Sequence, residues 1–249
     1  MAFTLVGFSE SQDSAGALVA VATLADNHIS RNGDDLIIPE LNKIIAISAL
    51  GATITRARLN SPSLRRMSPF EITPLNVGAE PTSPPTLLNL FATPLTLQVD
   101  ESLNAEIVEN VAGAEQETVL VWLADGTPAP VAGEIWTVRA TAAQALTANT
   151  WTNAILTFDV DLPVGKYQIV GMRAESAGLV AARLVFVGGI WRPGCLGTDV
   201  ASDLEADIFR YGRMGVWGEF VHNRPPTVDF LSSSADASET VWFDLIKTG

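Results

Sequence analysis

Charge, histidine and cysteine are all scarce in this chain, and each shortage removes a class of function. Charged residues make up 17% of the 249, against about a quarter in an ordinary domain. Fifteen basic residues face 28 acidic ones, for a net charge of −13. A surface that coats nucleic acid needs Lys and Arg to neutralise phosphates, so this balance argues against one. The single cysteine, Cys195, excludes an intrachain disulfide framework. It sits in Trp191-Arg192-Pro193-Gly194-Cys195-Leu196-Gly197. A nucleophile or metal ligand is one reading of that thiol; a small apolar filler in a turn is the one adopted here. The two histidines, His28 and His222, form no His-x-His or His-x-x-x-His pair. They are poor material for a metal site and are read as surface or satisfied polar residues.

Apolar residues are abundant, at 47%, and mean hydropathy is +0.25. A core is easily filled, and some apolar surface is left to bury against other copies of the chain. The N-terminal Met1-Ala2-Phe3-Thr4-Leu5-Val6-Gly7 lacks the basic n-region of a signal peptide. The weakly polar run Ala15–Ala25 is too short to span a bilayer. Ala177–Trp191 is apolar but contains Arg183 and three glycines. We expect a soluble protein made in a cytoplasm, without a transmembrane segment.

The chain repeats itself. Lys43-Ile44-Ile45-Ala46-Ile47-Ser48-Ala49 parallels Tyr167-Gln168-Ile169-Val170-Gly171-Met172-Arg173-Ala174, and Ala57-Arg58-Leu59 parallels Ala182-Arg183-Leu184. The two matches share one offset, 125 residues from Arg58 to Arg183. Each is followed by an Arg-Pro turn, Arg66-Met67-Ser68-Pro69 and Arg192-Pro193-Gly194, and preceded by Asp35-Leu36-Ile37-Ile38-Pro39 or Asp161-Leu162-Pro163. Further on, Glu117-Thr118-Val119-Leu120-Val121-Trp122-Leu123 parallels Glu239-Thr240-Val241-Trp242-Phe243-Asp244-Leu245 at an offset of 122. Collinear self-similarity at half the chain length implies two modules. Gly126–Gly133, with two glycines and two prolines, reads as a stiff connector. We therefore expect modules over 1–125 and 134–249, joined by 126–133.

Strand patterns dominate both halves: Ile44–Leu50, Thr53–Leu59, Leu95–Val99, Thr118–Leu123, Ile135–Ala140, Ala154–Val160, Tyr167–Met172, Leu179–Val187, Gly215–Val221 and Val241–Ile246. They are short, rich in β-branched and aromatic residues, and spaced by turns as in sandwiches and barrels. Thr118–Leu123 is apolar on both faces and should be buried on two sides. Trp122 and Trp242 should both be largely buried. Short helices are expected at Ser83-Pro84-Pro85 through Phe91 and at Ser202–Arg210. No long helices alternate with the strands, which excludes a parallel α/β sheet.

Catalytic patterns are missing. No Gly-x-Ser-x-Gly elbow, Gly-rich phosphate loop or Cys-x-x-Cys occurs. Asp159 and Asp161 share a strand face, where a solvated strand end is commoner than an acid–base pair. Asn32-Gly33-Asp34-Asp35 lacks EF-hand spacing and reads as a turn. No enzyme activity and no cofactor are expected. Arg56, Arg58, Arg65 and Arg66 crowd eleven residues of an acidic chain. They could meet nucleic acid or anionic lipid; pairing with the protein's own acids, on the surface or across an interface, is the plainer reading. They are the candidate interface residues.

Two tandem β-sandwiches, a short connector and no active site resemble a known family, the double jelly-roll major capsid proteins of tailless icosahedral viruses. The residues behind the resemblance are the repeat itself, the Leu162-Pro163-Val164-Gly165-Lys166-Tyr167 turn, Ala182-Arg183-Leu184-Val185-Phe186 running into Trp191-Arg192-Pro193-Gly194, and the closing strands Thr118–Leu123 and Val241–Leu245. The resemblance implies an all-β double jelly roll with short helices in loops. It implies a homotrimer of pseudo-hexagonal outline that tiles an icosahedral shell, located in the virion and made in host cytoplasm. Implied partners are other copies of the chain, other capsid proteins such as a vertex protein, and an underlying viral membrane or genome, with no small-molecule substrate. The chain is short for that family and lacks a basic arm to grip a genome. A tandem β-sandwich carbohydrate-binding or adhesin module is the alternative; it predicts exposed aromatics and carboxylates grouped in loops, and secretion, and the missing targeting signal counts against it. A bicupin enzyme is third, and the histidine count disfavours it.

Overall fold

A computed structural model describes residues 1–13, 15–25, 29–65, 70–73, 78–113 and 115–249. His28 and Arg66 lie outside the described residues. The chain divides into two compact units. One comprises Thr4–Thr82 and Thr86–Thr127; the other comprises Pro128–Gly249 with Met1–Phe3 and Ser83–Pro85.

The unit containing Thr4–Thr82 is all-β apart from one short helix. Its strands are β1 (Phe3–Gln12), β2 (Leu18–Val21), β3 (Arg31–Asn32), β4 (Asp35–Ile37), β5 (Lys43–Leu50) and β6 (Ile54–Asn60). The single turn α1 (Pro62–Arg65) follows. Then come β7 (Phe70–Ile72), β8 (Leu88–Asn89), β9 (Leu95–Thr96), β10 (Ser102–Glu109) and β11 (Glu115–Ala124). One sheet runs β1-β11-β5, with β8 and β9 sharing the far side of β5. The other runs β4-β10-β6-β7, with β2 also on β10. Counting β2/β4 and β8/β9 as one strand position each, the orders are first-eighth-third-sixth and second-seventh-fourth-fifth. That is the strand order of a jelly roll, the double-sheet solution to the edge problem.

The second unit repeats that order, with a short extra strand, Thr157–Phe158, added on the free edge of its first strand. Its strands are β12 (Trp136–Ala142), β13 (Thr152–Ala154), β14 (Thr157–Phe158), β15 (Lys166–Glu175), β16 (Leu179–Val185), β17 (Gly194–Thr198), β18 (Gly218–Val221), β19 (Thr227–Ser232) and β20 (Glu239–Lys247). One layer reads β12-β20-β15-β18 and the other β13-β19-β16-β17. A short parallel pairing of Ala174 with Gly197 and Glu175 with Thr198 joins the layers. The fold is two tandem antiparallel jelly rolls.

Register ties the two units together residue by residue. In the third–eighth ladder Trp122 faces Ala46 and Leu123 faces Ile44, so Ile45 is an extra, bulged residue. In the other unit Asp244 faces Gly171 and Leu245 faces Ile169, so Val170 is bulged. Ile45 and Val170 are 125 residues apart. In the fourth–seventh ladder Thr55 is skipped between Ile54 and Arg56, and Val180 between Leu179 and Ala181. That offset is again 125. Arg58 lies opposite Glu106, and Arg183 opposite Asp229. A bulge adds one residue to one strand and reverses which face the following side chains take. Two bulges at one shared offset, with Arg58 and Arg183 in equivalent positions, mark the units as copies of one design.

The cores follow from the strand patterns. Ile44–Leu50 of β5 and the apolar part of β11, Val119–Ala124, are fully buried on both faces, as the unbroken apolar run required. In β10, Leu103, Ala105 and Ile107 alternate inward with half-buried Asn104, Glu106 and Val108 outward. Gly33 and Asp34 form the two-residue loop joining β3 and β4, and the positive φ of 62° at Gly33 suits glycine. Three expectations are corrected. Ser83–Phe91 forms no helix: Ser83 and Pro84 each precede a proline, which biases both toward extended backbone, and Leu88–Asn89 joins the sheet opposite Ile47 and Ala46. Ser202–Arg210 gives only a 3-10 turn, Asp207–Phe209. Trp242 is half-buried, not buried, because it lies on the outward face of β20 while Val241, Phe243 and Leu245 face inward.

Trp122 has no exposed surface. Trp122→Ala should lower unfolding free energy by about 3–5 kcal/mol, the range for deleting a buried large aromatic, and Trp242→Ala by clearly less. Urea unfolding followed by far-UV circular dichroism measures both; equal losses would contradict the register.

Candidate functional site

The duplicated fourth and seventh strands each carry an arginine facing a carboxylate. In the unit of Thr4–Thr82 this is a plain cross-strand pair. Arg58 Nε bonds Glu106, and both side chains keep about a fifth of their surface exposed. In the other unit the same position has become a buried cluster. Arg183 Nε donates to Asp229 Oδ2 at 3.0 Å, and both groups are nearly sealed from solvent. Arg192 also pairs with Asp229, and Asn153 Nδ2 donates to its other oxygen at 2.7 Å. The Arg183 guanidinium lies 4.1 Å from the Trp151 ring centre, a cation–π contact. Asp229 thus meets two cations and an amide, partners that offset the cost of burying the cluster.

A second buried cluster occupies the outward side of β20. Asp244 has no exposed surface. It accepts from Arg210 Nε at 2.7 Å, Arg210 Nη2 at 2.9 Å, the Tyr211 N–H at 2.9 Å and the Thr137 hydroxyl at 2.7 Å. Arg210 Nη1 reaches both oxygens of Glu205 at 2.6 Å. Gly171 leaves room for this: a Cβ there would stand 2.5 Å from Asp244 Oδ2. The equivalent of Asp244 in the first unit is Trp122. One copy fills the position with an indole and the other with a fork-held carboxylate. Burial, reinforced by the Glu205 charge, pushes the Cys195 thiol far up, so it stays protonated and is no nucleophile at neutral pH.

Glutamates also recur. Glu117, the third residue of β11, and Glu239, the first of β20, are 122 residues apart and both buried. Thr53 donates to Glu117 at 3.1 Å, and the Gln144 N–H donates to Glu239 at 3.1 Å. Burial pushes the Glu239 carboxyl above its ordinary value; the Gln144 N–H offsets part of this, and the Asp236 charge adds to it.

Of the four arginines singled out in the sequence, the three described ones, Arg56, Arg58 and Arg65, take separate partners. Arg58 is committed to Glu106. Arg56, two residues before it on β6, lies 3.9 Å from Glu71, with both side chains about half exposed. Exposed Arg65 donates to Asn60 Oδ1 at 2.8 Å. Asp159 accepts from Arg139 at 2.7 Å and Asp161 is exposed. Among the described residues no three His, Cys, Asp or Glu side chains group as a metal site, and no helix is long and apolar enough to cross a membrane. Sequence reading missed the Arg183–Asp229–Arg192 and Arg210–Asp244–Glu205 clusters. The match of Arg58 with Arg183 was the one available signal for the first.

No family model matches the sequence, and no curated protein matches it. Among solved structures, the chain is similar to the crystal structure of the major capsid protein P2 from bacteriophage PM2, with 12% identity over 99% of this chain and 98% of that one. The TM-score is 0.28. The jelly-roll assignment rests on strand order and register alone.

The two equivalent pairs should respond unequally to truncation. Asp229→Ala leaves buried Arg183 without its carboxylate and should cost about 3–5 kcal/mol. Glu106→Ala leaves Arg58, about a fifth exposed and able to turn toward solvent, and should cost clearly less, about 1 kcal/mol. Thermal and urea unfolding of both variants checks this; similar losses would mean that the two sites are not differently buried.

Proposed function

We propose that the chain is a structural capsid protein: a homotrimer whose units tile an icosahedral virus shell, without catalysis and without a small-molecule substrate. The observation that carries the reading is the duplication itself, one jelly roll present twice in one chain with both bulges kept. Jelly rolls serve capsids, lectins and cupins alike, and fold alone does not decide among them. Duplication narrows the choice. Three chains with two like sandwiches each give six similar edges, so a threefold oligomer fits a hexagonal tiling. A single-site binding module gains nothing comparable.

Composition and surface support the same reading. A chain with few charges keeps Val187, Val164, Leu204, Ile190 and Val160 more than half exposed, more apolar surface than a monomer's stray contacts require. Exposed Arg56 and Arg65 suit subunit boundaries, where a neighbour's acids would offset them. Other capsid proteins, such as a vertex protein, and a membrane or genome beneath the shell belong to the reading as further partners, and the virion as its location.

Size-exclusion chromatography with multi-angle light scattering, followed by negative-stain electron microscopy, tests it. The expected species is three times the 26.5 kDa chain mass, associating into hexagonal arrays or closed particles as concentration rises. A monomer at every concentration and salt level would end the capsid reading, and glycan-array binding by that monomer would favour the carbohydrate-binding alternative.

A further inference from the structure

Exposed apolar residues collect around one open strand edge of the second unit. β18 pairs with β15 on one side, and its other edge carries no strand among the described residues. Beside it runs the loop from β16 to β17. The Gly189 N–H bonds Phe186 O at 3.0 Å, and Gly188 turns the chain at φ 74°. Phe186 packs against Gly218, where a Cβ would stand 2.3 Å from the ring. The loop is thereby held against β18 while Val187 projects outward, 89% exposed. Two depressions of about 340 and 310 Å³ meet at Phe186, Val187 and Glu219. A third of about 520 Å³ continues past Lys166 and Val221 to Val164. This is a groove with an apolar floor beside an unsatisfied strand edge, the kind of feature that recruits another chain.

We propose that this groove receives the acidic, apolar segment Asp159–Val164 of a second copy of the chain. Charge complementarity selects that occupant. In a chain with 28 acids to 15 bases, the groove is rimmed by Lys166 and Arg224. Among its lining side chains the one acid, Glu219, accepts from Gln168 Nε2 at 2.6 Å. In Asp159-Val160-Asp161-Leu162-Pro163-Val164, Asp159 is paired with Arg139 and exposed Asp161 offers the opposite sign, with Val160 54% and Val164 78% exposed. The segment belongs to no strand yet is pinned at both ends. The Asp159 N–H bonds Arg139 O at 3.0 Å, and the Tyr167 hydroxyl donates to Pro163 O at 2.6 Å. Pro163 fixes its own φ. A segment ordered before binding loses little entropy on docking.

Groove and segment adjoin at Val164, so one patch carries both halves of the contact. Such a self-complementary patch closes about a twofold axis, with two reciprocal contacts. It therefore suits a junction between capsomers and not the threefold contact within one. This inference rests on the shell reading above and names the surface that joins its units.

Charge exchange tests it. Arg224→Glu, Asp161→Arg, the double variant and Val187→Asp are compared with wild type by light scattering across a concentration series, with thermal melts to confirm folding. Each single variant should leave trimers intact and raise the concentration for half-assembly at least about tenfold, since like charges now meet. The Arg224→Glu/Asp161→Arg double variant should restore assembly toward wild type. Singles that assemble like wild type, or a double variant no better than either single, overturn the proposal and leave the shell reading standing. Wild type that stops at trimers overturns this proposal and the tiling half of the shell reading, and a wild-type monomer overturns both readings entirely. Unchanged assembly of Val187→Asp together with loss of wild-type binding to anionic phosphatidylserine vesicles would assign the patch to a lipid surface instead.

Discussion

The ladder between the third and eighth strands constrains everything else in each jelly roll. The eighth strand lies between the first and the third, so its register sets the whole inner sheet. A single bulged residue, Ile45 or Val170, fixes that register in both copies. On one side of the bulge β11 and β20 aim Val119 and Val121, or Val241 and Phe243, into the sandwich. Their neighbours Trp122 and Asp244 face the other way and are still buried. Moving the bulge by one residue would turn an indole, or a carboxylate held by four donors, into the apolar layer. Neither substitution of environment is affordable in a fold stabilised by a few kcal/mol.

Given a shared frame, the copies have diverged in how they treat charge. Arg58 and Glu106 form a cross-strand pair that keeps some contact with solvent and is of modest worth. The same address in the second unit holds Arg183, Asp229 and Arg192, closed over by Trp151. At the outward position of the eighth strand, Trp122 in one copy corresponds to Asp244 with Arg210 in the other. A buried ion cluster is a weak source of net stability, because desolvation offsets the attraction. Its geometric demand is strict, however. Forked guanidinium–carboxylate contacts tolerate one arrangement of the strands, so the second unit gains definition where the first relies on packing.

Much of this frame was legible in the sequence, and the failures have physical causes. The repeat placed β5 with β15, β6 with β16 and β11 with β20, because these central strands are apolar runs that burial keeps alike. The strands β1, β10, β17 and β19 were not foreseen. In β10, Asn104, Glu106 and Glu109 dilute the alternation, and Glu109 is buried despite its charge. In β17, Gly194, Cys195 and Gly197 read as a turn, yet all are buried, and Gly197 is required because a Cβ would stand 2.5 Å from Leu179. The proline pair at Pro84-Pro85 passed for a helix start when it was an extended approach to β8. The arginines read as interface candidates that pair with the protein's own acids, and their individual partners could not be read from spacing. Strand alternation and the α1 turn send Arg58 to Glu106 and Arg65 to Asn60. The groove beside β18 left no sequence signature, since Phe186, Val187, Val221 and Lys166 meet only through the fold.

The central claim is that one jelly roll occurs twice with its bulges intact. An experimental structure at side-chain resolution, by crystallography or electron cryo-microscopy, tests it most directly when residues of the two units are superposed. The account predicts Arg58 over Arg183, Ile45 over Val170 and Thr55 over Val180, with each of the last four bulged from its ladder. Arginines on unrelated strands, or a third–eighth ladder that runs unbroken in either unit, would contradict it.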